Sequence, residues 1–363
     1  MTTKNQNPNN NNNPWLSRTE CAALRGVAIL AIILHNFCHW LRLAVKENEY
    51  TFNASKADRF LHELASPDLY FPVQFVSFLG HYGVPLFLFL SGFGLVMKYG
   101  RQETLSPYRF VRFHYLKLLG MMVTGYVAFT MMDAITPGSF HFKAENIVAQ
   151  LLMYINVLPH PNNIIWPGPY WFFGLMMQLY IVYILLLHRR HWLYIVALIV
   201  LCWGLQAVNS PESDTLNRLR YNCIGGMLPF GCGLLTARLT QAGILDSLNA
   251  WKRWHWALLA LAALTGIITG SAWYATWYWV PLAVVIGGVA LVKALPLHRM
   301  NWMVWTGEIS AALFVAHPIL RKIFIPLSHR GDVYAGILLY LMASLCVAWL
   351  FHLIINKIPK PRL

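Results

Sequence analysis

Apolar stretches long enough to cross a bilayer recur along nearly the whole chain, and no other feature constrains the fold as much. A membrane-spanning helix needs about 20 mostly apolar residues. After roughly the first 20 positions such runs follow one another with short polar connections. Of the 363 residues 57% are hydrophobic and only 12% charged, about half the charged share of an ordinary soluble domain. The pattern predicts an all-α integral membrane protein with no room for a separate soluble domain.

Spanning helices are expected at about 20–42, 73–97, 111–132, 170–188, 191–208, 222–238, 256–273, 276–294, 306–326 and 333–355, ten in all. The segment at about 145–157 is too short to span and reads as an interfacial or re-entrant helix. The chain carries a net charge of +14, and its placement decides what that excess means. With the N-terminus cytoplasmic, the inner segments hold seventeen Lys and Arg against three acids, and the outer segments ten bases against ten acids. This is the positive-inside asymmetry of a multi-pass protein with both termini cytoplasmic, so the basic composition reads as topology and nucleic acid is excluded as a partner. Trp251, Trp254, Trp256, Trp302 and Trp305 near the inner ends, and Trp166, Trp171, Trp273 and Trp277 near the outer ends, are expected to form aromatic belts.

Three regions follow: an Asn-rich disordered tail over 1–19, a ten-helix membrane domain over 20–356, and a short basic cytoplasmic tail over 357–363. No signal peptide is expected. Cys21, Cys38, Cys202, Cys223, Cys232 and Cys346 show no metal-ligand spacing and read as small buried apolar residues. No internal repeat is visible.

Polar groups inside the apolar runs carry the functional signal, because ionisable side chains at membrane depth are costly. The first span places Arg25 near its cytoplasmic end and His35 ten residues deeper, roughly 15 Å along the helix. Asn36 is expected to share the Arg25 face, and His39 lies one turn beyond His35. His35 and His39 as a metal pair lack a third ligand, and no metal is expected. In the second span Ser91, Gly92 and Gly94 allow close helix approach, and Arg101, Arg109 and Arg112 follow in a basic loop suited to a polyanion. In the ninth span Glu308 is placed to accept a hydrogen bond from Arg25, and His317 lies deeper. His352 falls within the last span. The structural alternatives are equally plain: histidines bonded between helices, glycines that only pack, and arginines that only set topology.

Leu24-Arg25-Gly26-Val27-Ala28 with a deeper histidine, Val84-Pro85-Leu86-Phe87 with Ser91-Gly92-Phe93, and Arg109 to Arg112 come in one order along the chain. Trp171-Phe172-Phe173 with Tyr180, then Gly307, Ser310 and His317, complete it. This ordered set resembles the acyltransferase-3 family of ten-helix membrane O-acyltransferases over almost the whole chain. The resemblance implies transfer of an acyl group, usually acetyl, from cytoplasmic acyl-CoA to a hydroxyl of an extracytoplasmic or lipid-linked carbohydrate, in a bacterial cytoplasmic (inner) membrane. It implies polysaccharide modification by O-acetylation, with acyl-CoA as co-substrate, a carbohydrate or glycolipid acceptor, and no metal. His35 is the expected base, with His39 the alternative, and Arg25 is expected to neutralise donor phosphate or polarise the thioester environment. Arg109, Arg112 and Ser91 are expected at the donor, with Asn36, Trp171, Glu308 and His317 in support. One departure stands out: the family pattern has ten residues between arginine and histidine, and here there are nine, with Asn36 at the expected place. The outer segment from about Leu43 to Pro72, with Tyr50, Phe52, Phe60 and Tyr70, is the expected acceptor contact. The competing classes are a membrane transporter of a saccharide or small solute and a non-catalytic scaffold.

Overall fold

A computed structural model describes residues 15–359 and 361, and every regular element among them is helical. The first half comprises α1 (Arg18–Cys38), α2 (Ala54–Ala65), α3 (Phe71–Leu79), α4 (Gly83–Tyr99), α5 (Pro107–Ile135), α6 (Ala144–Leu151) and α7 (Trp171–Val182). The second half comprises α8 (Trp192–Ala207), α9 (Cys223–Gln241), α10 (Arg253–Gly270), α11 (Val280–Ala294), α12 (Asn301–Glu308), α13 (Ser310–Arg330) and α14 (Val333–Lys357). Residues 1–14 of the expected tail, and Lys360, Arg362 and Leu363, lie outside the described residues.

Seven helical stretches among the described residues are long and apolar enough to cross a membrane. They are α1, the run Phe71–Tyr99 that joins α3 to α4, α5, Gly168–Leu187, Asp214–Gln241, α13 and α14. The protein is therefore a multi-pass membrane protein. The segments of the other three expected spans are helical, as α8, α10 and α11, of 16, 18 and 15 residues. α8 and α11 are shorter than the seven, and α10 opens on Arg253 and His255. The expected ninth span starts later than its apolar run suggests. The chain breaks at Ile309, so that α12 is a separate short helix ending at Glu308 and the span itself begins at Ser310. The segment near 145–157 forms the eight-residue α6 followed by irregular turns, too short to cross.

Helix α1 is the organising element, packing against α3, α4, α12, α13 and α11. Its start is fixed by a capping box: Glu20 N donates to Ser17 Oγ at 3.2 Å and Ser17 N to a Glu20 carboxylate oxygen at 2.8 Å, an arrangement worth about 1 kcal/mol. The same carboxylate pairs with Lys293 of α11 at 2.9 Å. Two glycines let other elements reach α1. A side chain on Gly307 would collide with the Ala22 backbone, so α12 can lie directly on α1. A Cβ on Gly80 would sit 2.7 Å from the His35 Cβ, so the turn between α3 and α4 closes against the middle of α1.

The apolar surface divides between protein and lipid. Phe37, Phe89, Phe110, Phe230 and Tyr340 are fully buried, whereas Leu338, Leu339, Met342, Leu350 and Leu353 of α14 point outward, as a helix facing hydrocarbon should. The tryptophans are less uniform than the belt pattern predicts. Trp251, Trp254, Trp273 and Trp302 are exposed, but Trp171, Trp256 and Trp277 are buried, and Arg220 lies over the Trp277 ring at 4.0 Å. Position near a span end does not determine which way a ring faces. The cysteines are all free, and Cys346 is exposed rather than buried.

Candidate active site

Two cavities lie end to end along α1. One, of about 380 Å³, surrounds its C-terminal half and is lined by His35, Asn36, His39, Trp40, Glu47 and His81 together with Trp166, Trp171 and Arg321. The other, of about 510 Å³, surrounds its N-terminal half and is lined by Arg25, Ser91, Gly94, Lys98, His114, Lys117, Tyr180, Glu308 and Ser310. Both volumes fall in the range of small-molecule sites. Ile32, Val84, Phe172 and Phe314 form part of both walls. A polar chamber and a basic chamber thus meet at one apolar neck, with His35 three residues from it on α1.

His35 is buried, and its Nδ1 lies 2.8 Å from the Ser77 carbonyl oxygen. A carbonyl can only accept, so Nδ1 carries the proton and the neutral ring presents an unprotonated Nε2. Ser77 is held in turn, its hydroxyl donating to the Val45 carbonyl at 2.7 Å. Gln74, one turn earlier on α3, accepts from Val45 N at 2.7 Å and donates to the Leu43 carbonyl at 3.0 Å. The loop after α1 is therefore pinned to α3. Further along, Lys56 donates to the Glu47 carbonyl at 3.0 Å, Trp277 to the Asn48 carbonyl at 2.8 Å and Arg220 to the Glu49 carbonyl at 2.8 Å.

That rigid loop delivers Glu47, which the sequence does not single out, to His39: the carboxylate accepts from His39 Nδ1 at 2.6 Å. Burial alone would raise the Glu47 carboxyl, but the hydrogen bond from His39 outweighs it and holds the group well below the usual carboxylate range. His39 with Glu47 is an imidazole oriented by a carboxylate, the arrangement that supports acid-base work in other enzymes. Glu49, also on this cavity, is pushed up to about 8 by burial and by the neighbouring Glu47 charge.

His81 is the second group that sequence reading misses. It is buried on the cavity wall, its ring centroid 5.6 Å from that of His35, and neither ring nitrogen has a hydrogen-bond partner. Nothing in the local Gly80-His81-Tyr82 sequence marks it, because only the turn beside α1 brings it there. Ligand atoms of His35, His39 and Glu47 lie within 4.8 Å of one another, so these three side chains could hold a metal ion. Glu47 supplies the third ligand that the histidine pair lacks. The 2.6 Å contact between His39 and Glu47 is a hydrogen bond; two ligands on a tetrahedral zinc stand about 3.3 Å apart.

The other expected residues divide. Asn36 lines the His35 cavity but spends its amide on its own helix, donating to Ile32 O at 3.0 Å. Trp171 lines the same cavity and packs edge-on against Tyr50 and Tyr221. Of the four aromatics expected at the acceptor only Tyr50 reaches the cavity. Phe52 packs with Trp277, Phe60 stacks on Phe78, and Tyr70 stacks on Tyr334. His317 is fully buried outside both linings, its Nδ1 donating to Leu313 O at 3.2 Å. His352 lies on α14 beside Asn356, away from both chambers.

In the basic chamber Ser91 and Gly94 face the cavity, whereas Gly92 is packed against Phe230 of α9. Arg25 and Glu308 line the chamber together, but no ion pair among the described residues joins them. Arg109 and Arg112 are not in its wall. Both are exposed in the first turns of α5, and the cations that reach the chamber besides Arg25 are Lys98 and, almost three turns into α5, Lys117.

The family model for the acyltransferase domain of acyltransferase-3 proteins matches residues 21–353. The chain belongs to the acyltransferase-3 family. No curated protein and no solved structure matches it. Membership in this family supports an acyltransferase over a transporter or a scaffold, and nearly the whole helical assembly is that domain.

Proposed function

We propose that this acyltransferase moves an acyl group, most simply acetyl, from acyl-CoA in the Arg25 chamber to a hydroxyl of a carbohydrate in the His35 chamber. The observation that carries this reading is the shared neck: the two chambers have Ile32, Val84, Phe172 and Phe314 in common as an apolar partition. A multiply anionic donor suits Arg25, Lys98 and Lys117. Arg109 and Arg112, exposed at the start of α5, can meet the nucleotide end outside the cavity. The positive-inside charge pattern supports ten crossings with the Arg25 chamber cytoplasmic and the His35 chamber on the other face, which suits a bacterial inner membrane enzyme modifying a polysaccharide or glycolipid.

In this mechanism His35 Nε2 takes the proton of the acceptor hydroxyl as its oxygen attacks the thioester carbonyl at the neck. The tetrahedral adduct collapses, the carbon–sulfur bond breaks, and the imidazolium returns its proton to the departing thiolate. Ser77 fixes the ring orientation. His39 with Glu47 is the alternative base, favoured by its carboxylate partner, whereas the shorter path along α1 to the neck favours His35.

The test is radiolabelled acetyl-CoA given to membranes that contain the protein. Label should enter saccharide in the wild type and not in His35→Ala. A transporter would move saccharide with its mass unchanged.

A further inference from the structure

Arg321 counts among the outer-segment bases of the charge pattern, yet it lies within α13, which runs on to Arg330, and points inside. It is 5% exposed and lines the His35 cavity. Its guanidinium lies over the rings of Trp40 and Trp166, at 4.9 and 5.8 Å from their centroids. No hydrogen bond and no ion pair among the described residues uses any of its five N–H donors; the neighbouring Lys322, by contrast, is paired with the buried Asp133 at 2.6 Å. A buried, permanently charged group with no anion beside it is costly, and one that opens onto a chamber is poised to recover that cost from a ligand.

Resting on the acyltransferase reading, we propose that the acceptor carries an oxyanion, a carboxylate or a phosphate on its saccharide, and that Arg321 binds it in the His35 chamber. A planar guanidinium grips either group through two parallel hydrogen bonds. Trp40 and Trp166, meeting edge to face at 6.3 Å, hold the fork in place from behind and offer ring faces to the sugar. Trp166 is itself fixed by Asp133, which accepts from its Nε1 at 3.0 Å. The two carboxylates on the same chamber do not oppose this. Glu47 is bonded to His39, and Glu49, raised to about 8, is mostly protonated at neutral pH.

The test uses the full-length protein in detergent with three probes: methyl β-D-glucuronide, glucose 1-phosphate and the uncharged methyl β-D-glucoside. Thermal stabilisation is read for wild type, Arg321→Gln and Arg321→Lys. The expected result is saturable stabilisation by at least one anionic probe, weakened by added salt. Half-saturation should rise at least tenfold in Arg321→Gln, with part of the effect kept in Arg321→Lys. The glucuronide and phosphate arms tell which oxyanion is preferred. Equal stabilisation by the neutral glucoside, no stabilisation by any probe, or unchanged anion binding in Arg321→Gln overturns the proposal. If Arg321→Gln cannot be recovered folded, the salt titration of the wild type and the Arg321→Lys comparison decide. Transfer of label from acetyl-CoA to saccharide in membranes that supply the acceptor, compared between wild type and His35→Ala, is measured alongside. Its retention when the anions fail removes the Arg321 proposal alone, and its absence removes the acyltransferase reading.

Discussion

His35 Nδ1 lies 2.8 Å from the Ser77 carbonyl oxygen, and this bond decides which ring nitrogen serves the cavity. A backbone acceptor cannot move with pH or rotate away, so the imidazole is held in one tautomer with Nε2 free. Four residues on, at the cap that ends α1, His39 is oriented instead by the Glu47 carboxylate at 2.6 Å. Two histidines one turn apart are thus prepared in different ways.

Replacing each of them separates their roles. With His35 as base, His35→Ala should lower acyl transfer by about 10³-fold, within the usual span for general-base removal, while His39→Ala should lower it about tenfold. Initial rates on equal amounts of folded protein check this. The reverse order assigns the base to His39.

Glu49 predicts a pH dependence of stability. Its folded carboxyl is raised to about 8 from an ordinary 4.5, chiefly by burial and then by Glu47. Between those values the folded protein holds a proton that the unfolded chain has released. Stability therefore falls as pH rises from about 4.5 to about 8, and levels off above. Holding that proton costs about 1.4 kcal/mol for every pH unit crossed in this window, so a decline of a few kcal/mol is expected. Glu49→Gln should flatten it, as read from melting temperatures across pH 5 to 9 in detergent, conditions chosen to bracket that window.

How far this site can be read from the sequence follows the distance over which chemistry is assembled. Arg25 and His35 share one helix and His39 caps its end, so their spacing places them in order along the two chambers. Ser91 is legible as a polar residue in an apolar run. Glu47 and His81 are not, because a pinned loop and a turn closing on Gly80 bring them to α1, and neither leaves a periodic trace. Arg321 reads only as an outer-segment base for a related reason. It sits near the outer end of its span, and the ligand-sized cavity there is invisible in a linear count. Arg109 and Arg112 show the converse: they lie outside the chamber wall, and basic residues after a span satisfy topology whether or not they touch a ligand. The long apolar helices are legible to within a few residues, except where Gly307 and the break at Ile309 separate α12 from α13, whereas α2 lies in a segment that reads as a loop.

The pair Glu20 and Lys293 ties α1 to α11 at 2.9 Å with both side chains mostly buried. Lys293→Met leaves the carboxylate without its cation and should cost about 2 kcal/mol, less than a fully buried pair because water still reaches both groups. Adding Glu20→Gln keeps the helix cap and removes the stranded charge, so the double variant should recover more than half of the loss. Denaturant midpoints of the single and double variants measure it.

Phe314 belongs to the walls of both chambers, which makes it a gauge of acyl size. Phe314→Leu should raise the rate with butyryl-CoA relative to acetyl-CoA by about tenfold, since an apolar pocket discriminates by about 1–3 kcal/mol per methylene. Competition between the two thioesters at equal concentration reads the ratio directly.

The central claim is that donor and chemistry occupy opposite sides of the neck, and thermal stabilisation by acetyl-CoA tests it most directly. A ligand that binds only the folded protein raises its melting temperature in proportion to occupancy. The account predicts saturable stabilisation of wild type and of His35→Ala alike, with half-saturation at least tenfold higher in Arg25→Ala. Stabilisation lost in His35→Ala but unchanged in Arg25→Ala, or none at any concentration of acetyl-CoA, would contradict it.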